Sequence, residues 1–183
     1  MTEYTPGVGH NVLQLGTATV DGTAKAGELV RLPGWQKAGG IAPLRVERLD
    51  ATGGSVTVHG SACYDGLTRW LRSVRWDAYD MHVTDEVVLA DTSPDTVLFR
   101  WHLGTEEAVM ISGEGKEFAA TCPNAEIHIE ADTPLVVTQR FAPDNTLAGH
   151  VSEDVPQNIH TCIIVQSAAP VNTISISTQF SSK

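Results

Sequence analysis

Apolar and polar residues alternate in twos along most of this chain. In DTVLFRWHL, Val97, Phe99, Trp101 and Leu103 share one face, while Leu98, Arg100 and His102 share the other. Such period-two alternation marks a strand with one face in a core. The preceding segment sets Tyr79, Met81, Val83 and Val87 against Asp80, His82, Thr84 and Glu86. Asp85 interrupts its apolar row, which places a carboxylate on the inward face. Ala125–Ala131 and Val171–Phe180 repeat the pattern, the latter with Ile174, Ile176 and Phe180 alternating with Ser175, Ser177 and Gln179.

Read throughout in this way, the pattern predicts strands at Asn11–Gly16, Gly27–Leu32, Leu44–Leu49, Ser55–Tyr64, Thr68–Arg75, Tyr79–Leu89, Thr96–Leu103, Ala108–Ser112, Lys116–Thr121, Ala125–Ala131, Pro134–Phe141, Ile159–Gln166 and Val171–Phe180. Turn signals such as Asp21-Gly22, Gly53-Gly54, Asp65-Gly66 and Asp132-Thr133-Pro134 separate them. Only Gly66–Val74 also carries helical spacing, through Leu67, Trp70, Leu71 and Val74. Its Trp, Arg and Val content and its strand neighbours favour a strand. The expected fold is all-β: one domain over residues 1–183, a two-layer antiparallel sandwich of about a dozen strands. No fixed internal period suggests a propeller or solenoid.

Charge narrows the partners. The chain of 183 residues holds 22 acidic and 12 basic side chains, a formal charge of -10. Nucleic acid rewards clustered Lys and Arg, and no such run occurs, so nucleic acid is not expected as a partner. No stretch of 18 apolar residues is present, so no membrane span is expected either. The opening MTEYTPGVGHNV lacks the charged and apolar regions of a signal peptide. Cys63, Cys122 and Cys162 lie far apart without a C-x-x-C pair, and are read as partly buried small side chains, with one disulfide among them left open.

Several segments resemble the heparinase II/III-like polysaccharide lyases. Gly9-His10-Asn11-Val12-Leu13 looks like their His-Asn strand, and Arg69 and Arg72, followed by Ala78–Val88 with its Asp85, like their arginine-bearing strand and its successor. Phe99-Arg100-Trp101-His102-Leu103 resembles their aromatic-x-His-Leu strand, and VNTISISTQF their terminal strand. The resemblance implies the C-terminal β-sandwich of an enzyme whose first half is an upstream (α/α) toroid. It implies β-elimination of acidic polysaccharides by the full enzyme, and a periplasmic or secreted location. The catalytic groups of such enzymes come largely from the toroid and from a His-x-His-x-Asp segment, neither of which occurs here. No catalytic residue is therefore assigned, and no lyase activity is expected of these 183 residues alone. His10 is the one metal-ligand candidate: by resemblance it would help hold a structural zinc in the full-length enzyme. A normal zinc site needs four ligands, so no filled site is expected in this chain by itself.

Other candidates each have a plain structural reading. Asp85 requires a partner if buried, and Arg69 or Arg72 on the preceding strand could supply a bidentate one. His102 would either stack on a sugar or face water. Tyr4, Tyr64 and Tyr79 are possible acids or bases, and Trp35 is the tryptophan best placed for exposure. His59, His82, His128, His150 and His160 show no metal-binding spacing, and no nucleophile or phosphate-loop motif is present. The readings left are a lyase sandwich domain, a self-standing carbohydrate- or partner-binding sandwich, and a small enzyme of unrecognised type.

Overall fold

A computed structural model describes residues 13–15, 41–64, 66–90, 94–143 and 159–183. The strands are β1 (Leu13–Leu15), β2 (Leu44–Asp50), β3 (Gly53–His59), β4 (Leu67–Trp76), β5 (Asp80–Leu89), β6 (Val97–His102), β7 (Met110–Glu114), β8 (Glu117–Cys122), β9 (Ala125–Ala131), β10 (Leu135–Pro143), β11 (Ile159–Ser167) and β12 (Thr173–Ser182). Among the described residues there is no α-helix, only one 3-10 turn at Ser61–Cys63. The strands form a four-stranded sheet, ordered β1-β6-β11-β10, and an eight-stranded sheet, ordered β2-β3-β4-β5-β12-β9-β8-β7. All pairings are antiparallel. The architecture is the all-β one expected from the alternation.

Cross-strand register explains the alternation. On the large sheet, Val74, Val83 and Thr178 stand in one row, and Trp70, Val87 and Ile174 in another, so each apolar set meets apolar neighbours on the same face. The inner face of the small sheet supplies Val97, Phe99, Trp101, Leu135, Ile163 and Val165 to one continuous core with Ile127, Ile129, Ile174 and Ile176. Burying each such side chain contributes about 1.5–3 kcal/mol before chain entropy is counted. Gly66–Val74 is strand, as β4: its partner β5 is already an extended neighbour, and tertiary pairing overrides local helical spacing. The predicted strand Ser55–Tyr64 ends early at His59. Gly60 donates to the Trp70 carbonyl (2.9 Å) and the chain then turns through Ser61–Cys63. A Cβ on Gly60 would collide with the Trp70 ring, so this close approach requires glycine. The predicted strand Gly27–Leu32 lies outside the described residues.

The two sheets are unequal, and the difference leaves a surface. Leu44 and Val46 of β2 pair in register with Val58 and Val56, and Leu49 with Gly54, on the face that forms the core further along the sheet. Yet Leu44 is 59% exposed, Val46 53% and Leu49 71%, with Ile41 beside them at 73%. Here an inward-facing apolar row runs past the burial that the smaller sheet gives its neighbours. The charges Arg45, Glu47 and Arg48 and a bulge between Val46 and Arg48 guard the β2 edge against pairing with another strand.

Candidate functional site

Asp85 lies between the sheets, as its place in an apolar row requires, and is 1% exposed. Arg72, its register partner on β4, binds it bidentately, Nε to Oδ1 at 2.8 Å and Nη2 to Oδ2 at 3.0 Å. The Trp70 indole Nε1 donates to the same Oδ1 at 2.7 Å. The guanidinium carbon lies 5.4 Å from the Trp70 ring, 5.2 Å from Trp101 and 6.0 Å from Phe99, so aromatics of both sheets enclose the cation. Arg69 faces the other way and pairs with Glu86 at 2.7 Å on the outer face. A carboxylate so sealed and so fully engaged cannot reach a substrate. This is an ion pair within the large sheet, buried against the aromatics of the small one, and not placed to act as an acid or base on a substrate.

Two histidine contacts were not legible in the spacing, because strand pairing creates them. His82 Nε2 lies 2.6 Å from Ser177 Oγ across the β5–β12 pair, while Arg75 Nη2 approaches Nδ1 at 3.4 Å. Arginine only donates, so Nδ1 must accept and Nε2 carries the proton. His82 then donates to Ser177, the reverse of what nucleophile activation needs. On the small sheet, His102 Nδ1 lies 2.6 Å from His160 Nε2, and Cys162 Sγ is 3.8 Å from His102 Nε2. The order thiol, imidazole, imidazole has the form of a nucleophile with a base, but Cys162 is only 4% exposed and the thiol is shut away. His102 is thus not a simple water-facing residue. It is half-buried and engaged with a second histidine.

A concave surface lies beside it. A cleft of about 410 Å³ opens at the end of the sandwich where β6 and β12 finish and β5 and β9 begin. Its floor is apolar, formed by Met81, Trp101, Ile127 and Phe180, with the Trp101 and Phe180 rings edge to face at 5.1 Å and 75°. Its rim carries His102, Thr105, Glu107 and Asn124. The β6–β7 connection is pinned: Leu103 N donates to Thr161 O, Thr161 N to Thr105 O, and the Thr161 hydroxyl to Glu107 O at 2.6 Å. Such a surface can bind a small molecule with an apolar face and hydroxyl groups.

The carboxylates held below the usual range sit elsewhere. Asp77 accepts from the backbone N–H groups of Tyr79 and Asp80, which hold it down, and the Thr52 hydroxyl does the same for Asp50. Both are hairpin caps rather than candidates for chemistry. Tyr64 is buried, its hydroxyl donating to Leu13 O at 2.6 Å, and Tyr79 is exposed. His10, Tyr4 and Trp35 lie outside the described residues. Among the described residues no three His, Cys, Asp or Glu side chains converge as a metal site. Cys63, Cys122 and Cys162 are free thiols.

No protein-family model matches the sequence, and no curated protein matches it either. Solved structures do resemble the fold. One is the "Heparinase III-BT4657 gene product", at a TM-score of 0.50 and 9% identity over 76% of this chain. Another is a mutant of the heparan sulfate lyase HepC from Pedobacter heparinus, at 0.52 and 10% identity over 76%. In both the match covers 21% of the other chain, so this chain corresponds to about a fifth of those enzymes. At such identity the likeness is one of fold. Among the described residues, no helix is long and apolar enough to cross a membrane.

Proposed function

We propose that this chain is the β-sandwich portion of a polysaccharide lyase of the heparinase II/III kind. In this reading it packs against an (α/α) toroid and shapes one wall of a cleft that receives an acidic polysaccharide. The observation that carries the reading is the fold match of 76% of this chain to 21% of each of two such lyase chains. The exposed apolar row of Ile41, Leu44, Val46 and Leu49 supports it, since a contiguous apolar surface of this kind suits a domain interface. Catalysis would reside in the toroid. A structural zinc held in part by His10 belongs to the same proposal, with neutral imidazole a suitable ligand.

The test is to immunopurify the native species carrying these residues from its source cells and to assay it on heparan sulfate and alginate. A species larger than 19.6 kDa that releases unsaturated uronate products is expected. A free 19.6 kDa monomer without associated lyase activity would refute the proposal. That result would favour the second reading, a self-standing carbohydrate-binding sandwich, for which the end cleft speaks.

A further inference from the structure

We propose that the cleft between the ends of β6 and β12 binds a neutral, hydroxyl-rich sugar ring. The inference does not depend on the lyase reading, because a sandwich acting alone would use the cleft in the same way. Three features of the site lead to it.

The first is shape and floor. A volume near 410 Å³ lies within the roughly 300–1,000 Å³ of small-molecule sites. Trp101 and Phe180 meet edge to face there, and the partly exposed Phe180 ring, backed by the buried Trp101, offers an apolar surface against which the C–H face of a pyranose can pack. The second feature is the rim. Glu107 offers a carboxylate acceptor and Asn124 an amide that both donates and accepts, the combination that vicinal hydroxyls require. The rim is held in place beforehand. The Thr105 hydroxyl accepts from Glu107 N at 3.2 Å, and Asn124 O accepts from Lys183 N at 3.1 Å. Less ordering on binding means more affinity from the same contacts. The third feature is independent of both. Trp101 Nε1 is buried without a hydrogen-bond partner among the described residues, and this residue forms part of the cleft wall. A buried indole N–H normally finds an acceptor, and a hydroxyl bound in the cleft would meet this one on a small movement of the Trp101 ring, which is 4% exposed.

Charge selects the ligand within the sugars. Among the described residues no Lys or Arg lines the cleft, and Glu107 stands on its rim. The nearby Lys183 ammonium holds the Cys122 carbonyl at 3.2 Å and is not part of the lining. A uronate or sulfated ring would meet a carboxylate without a cation to offset it. The cleft is therefore a subsite for an uncharged residue, distinct from any surface that grips the acidic units of a polysaccharide.

The experiment is a titration of the 15N-labelled 183-residue protein with methyl β-glucoside and with cellobiose, and in parallel with methyl β-glucuronide. With the neutral probes, saturable shifts are expected at the Trp101 indole and at the amides of residues 103–105, 107, 124 and 125, with Kd of the order of 1 mM. Asn124→Ala, a change at an exposed side chain, should weaken cellobiose about fivefold with the remaining amide spectrum unchanged. Glu107→Gln should narrow the gap between the glucoside and the glucuronide. The proposal is overturned if neither neutral probe gives saturable shifts, if the shifts map away from the cleft, or if the glucuronide binds as tightly as the glucoside.

Discussion

Replacing Asp85 with leucine removes a buried carboxylate while keeping its branched shape. Three hydrogen bonds go with it, two from Arg72 and one from Trp70 Nε1. The Arg72 side chain, only 13% exposed, stays enclosed by Trp70, Phe99 and Trp101 as a cation that has lost the Asp85 carboxylate. Breaking one side of a buried pair costs about 3–5 kcal/mol, because the remaining charge is stranded away from water. In a domain of this size each kcal/mol moves the melting temperature about 2–4 °C, so Asp85→Leu should lower it by about 6–20 °C. Arg72→Met should cost a similar amount, stranding the carboxylate instead. The double variant Asp85→Leu/Arg72→Met removes both charges and should return to within about 1–2 kcal/mol of the parent, the residue of the loss being the Trp70 N–H left without an acceptor. Urea denaturation of the four proteins, followed by circular dichroism, gives the coupling directly. An Asp85→Leu cost under about 1 kcal/mol, or a double variant no more stable than the worse single one, would refute the reasoning.

Other expectations follow from the packing. A Cβ on Gly54 would collide with the Trp76 ring, so Gly54→Ala should destabilise by about 1–3 kcal/mol, measured by thermal denaturation. Asp77 is held below its ordinary 3.8 by two backbone N–H groups. A depressed carboxylate stabilises the fold above its unfolded pKa and loses that effect as pH falls through the folded one. The melting-temperature gap between parent and Asp77→Ala should therefore be full at neutral pH and close once the solution is acidified well below 3.8. All three thiols should react with a thiol reagent in the denatured protein without prior reduction, and the buried Cys63 and Cys162 only slowly in the native one.

Much of the fold could be read from residue order because the strand period is two and the core lies on one face. β9, Ala125–Ala131, has the predicted boundaries, since its row of Ala125, Ile127, Ile129 and Ala131 is bounded by turns on both sides. The inward Asp85 and its arginine partner were legible for the same reason: a carboxylate in an apolar row demands a cation across the strand pair. Which arginine it takes was not. Register puts Arg72 opposite Asp85, whereas Arg69 turns to the outer face, and register depends on the bulge between Leu67 and Arg69. The candidate cleft was hidden altogether. Met81, Trp101, Asn124 and Phe180 come from four separate segments, and nothing along the chain marks them as neighbours.

Alternation and turn chemistry alone thus determined that this protein is built from extended segments with one face turned inward, because each segment carries its own burial pattern. Only tertiary structure decided how the strands divide into sheets of four and eight, since that depends on which edges meet. The same division leaves the apolar row of β2 bare and brings His102 beside His160. These are relations between distant segments, fixed by pairing partners and register rather than by any local preference of the backbone.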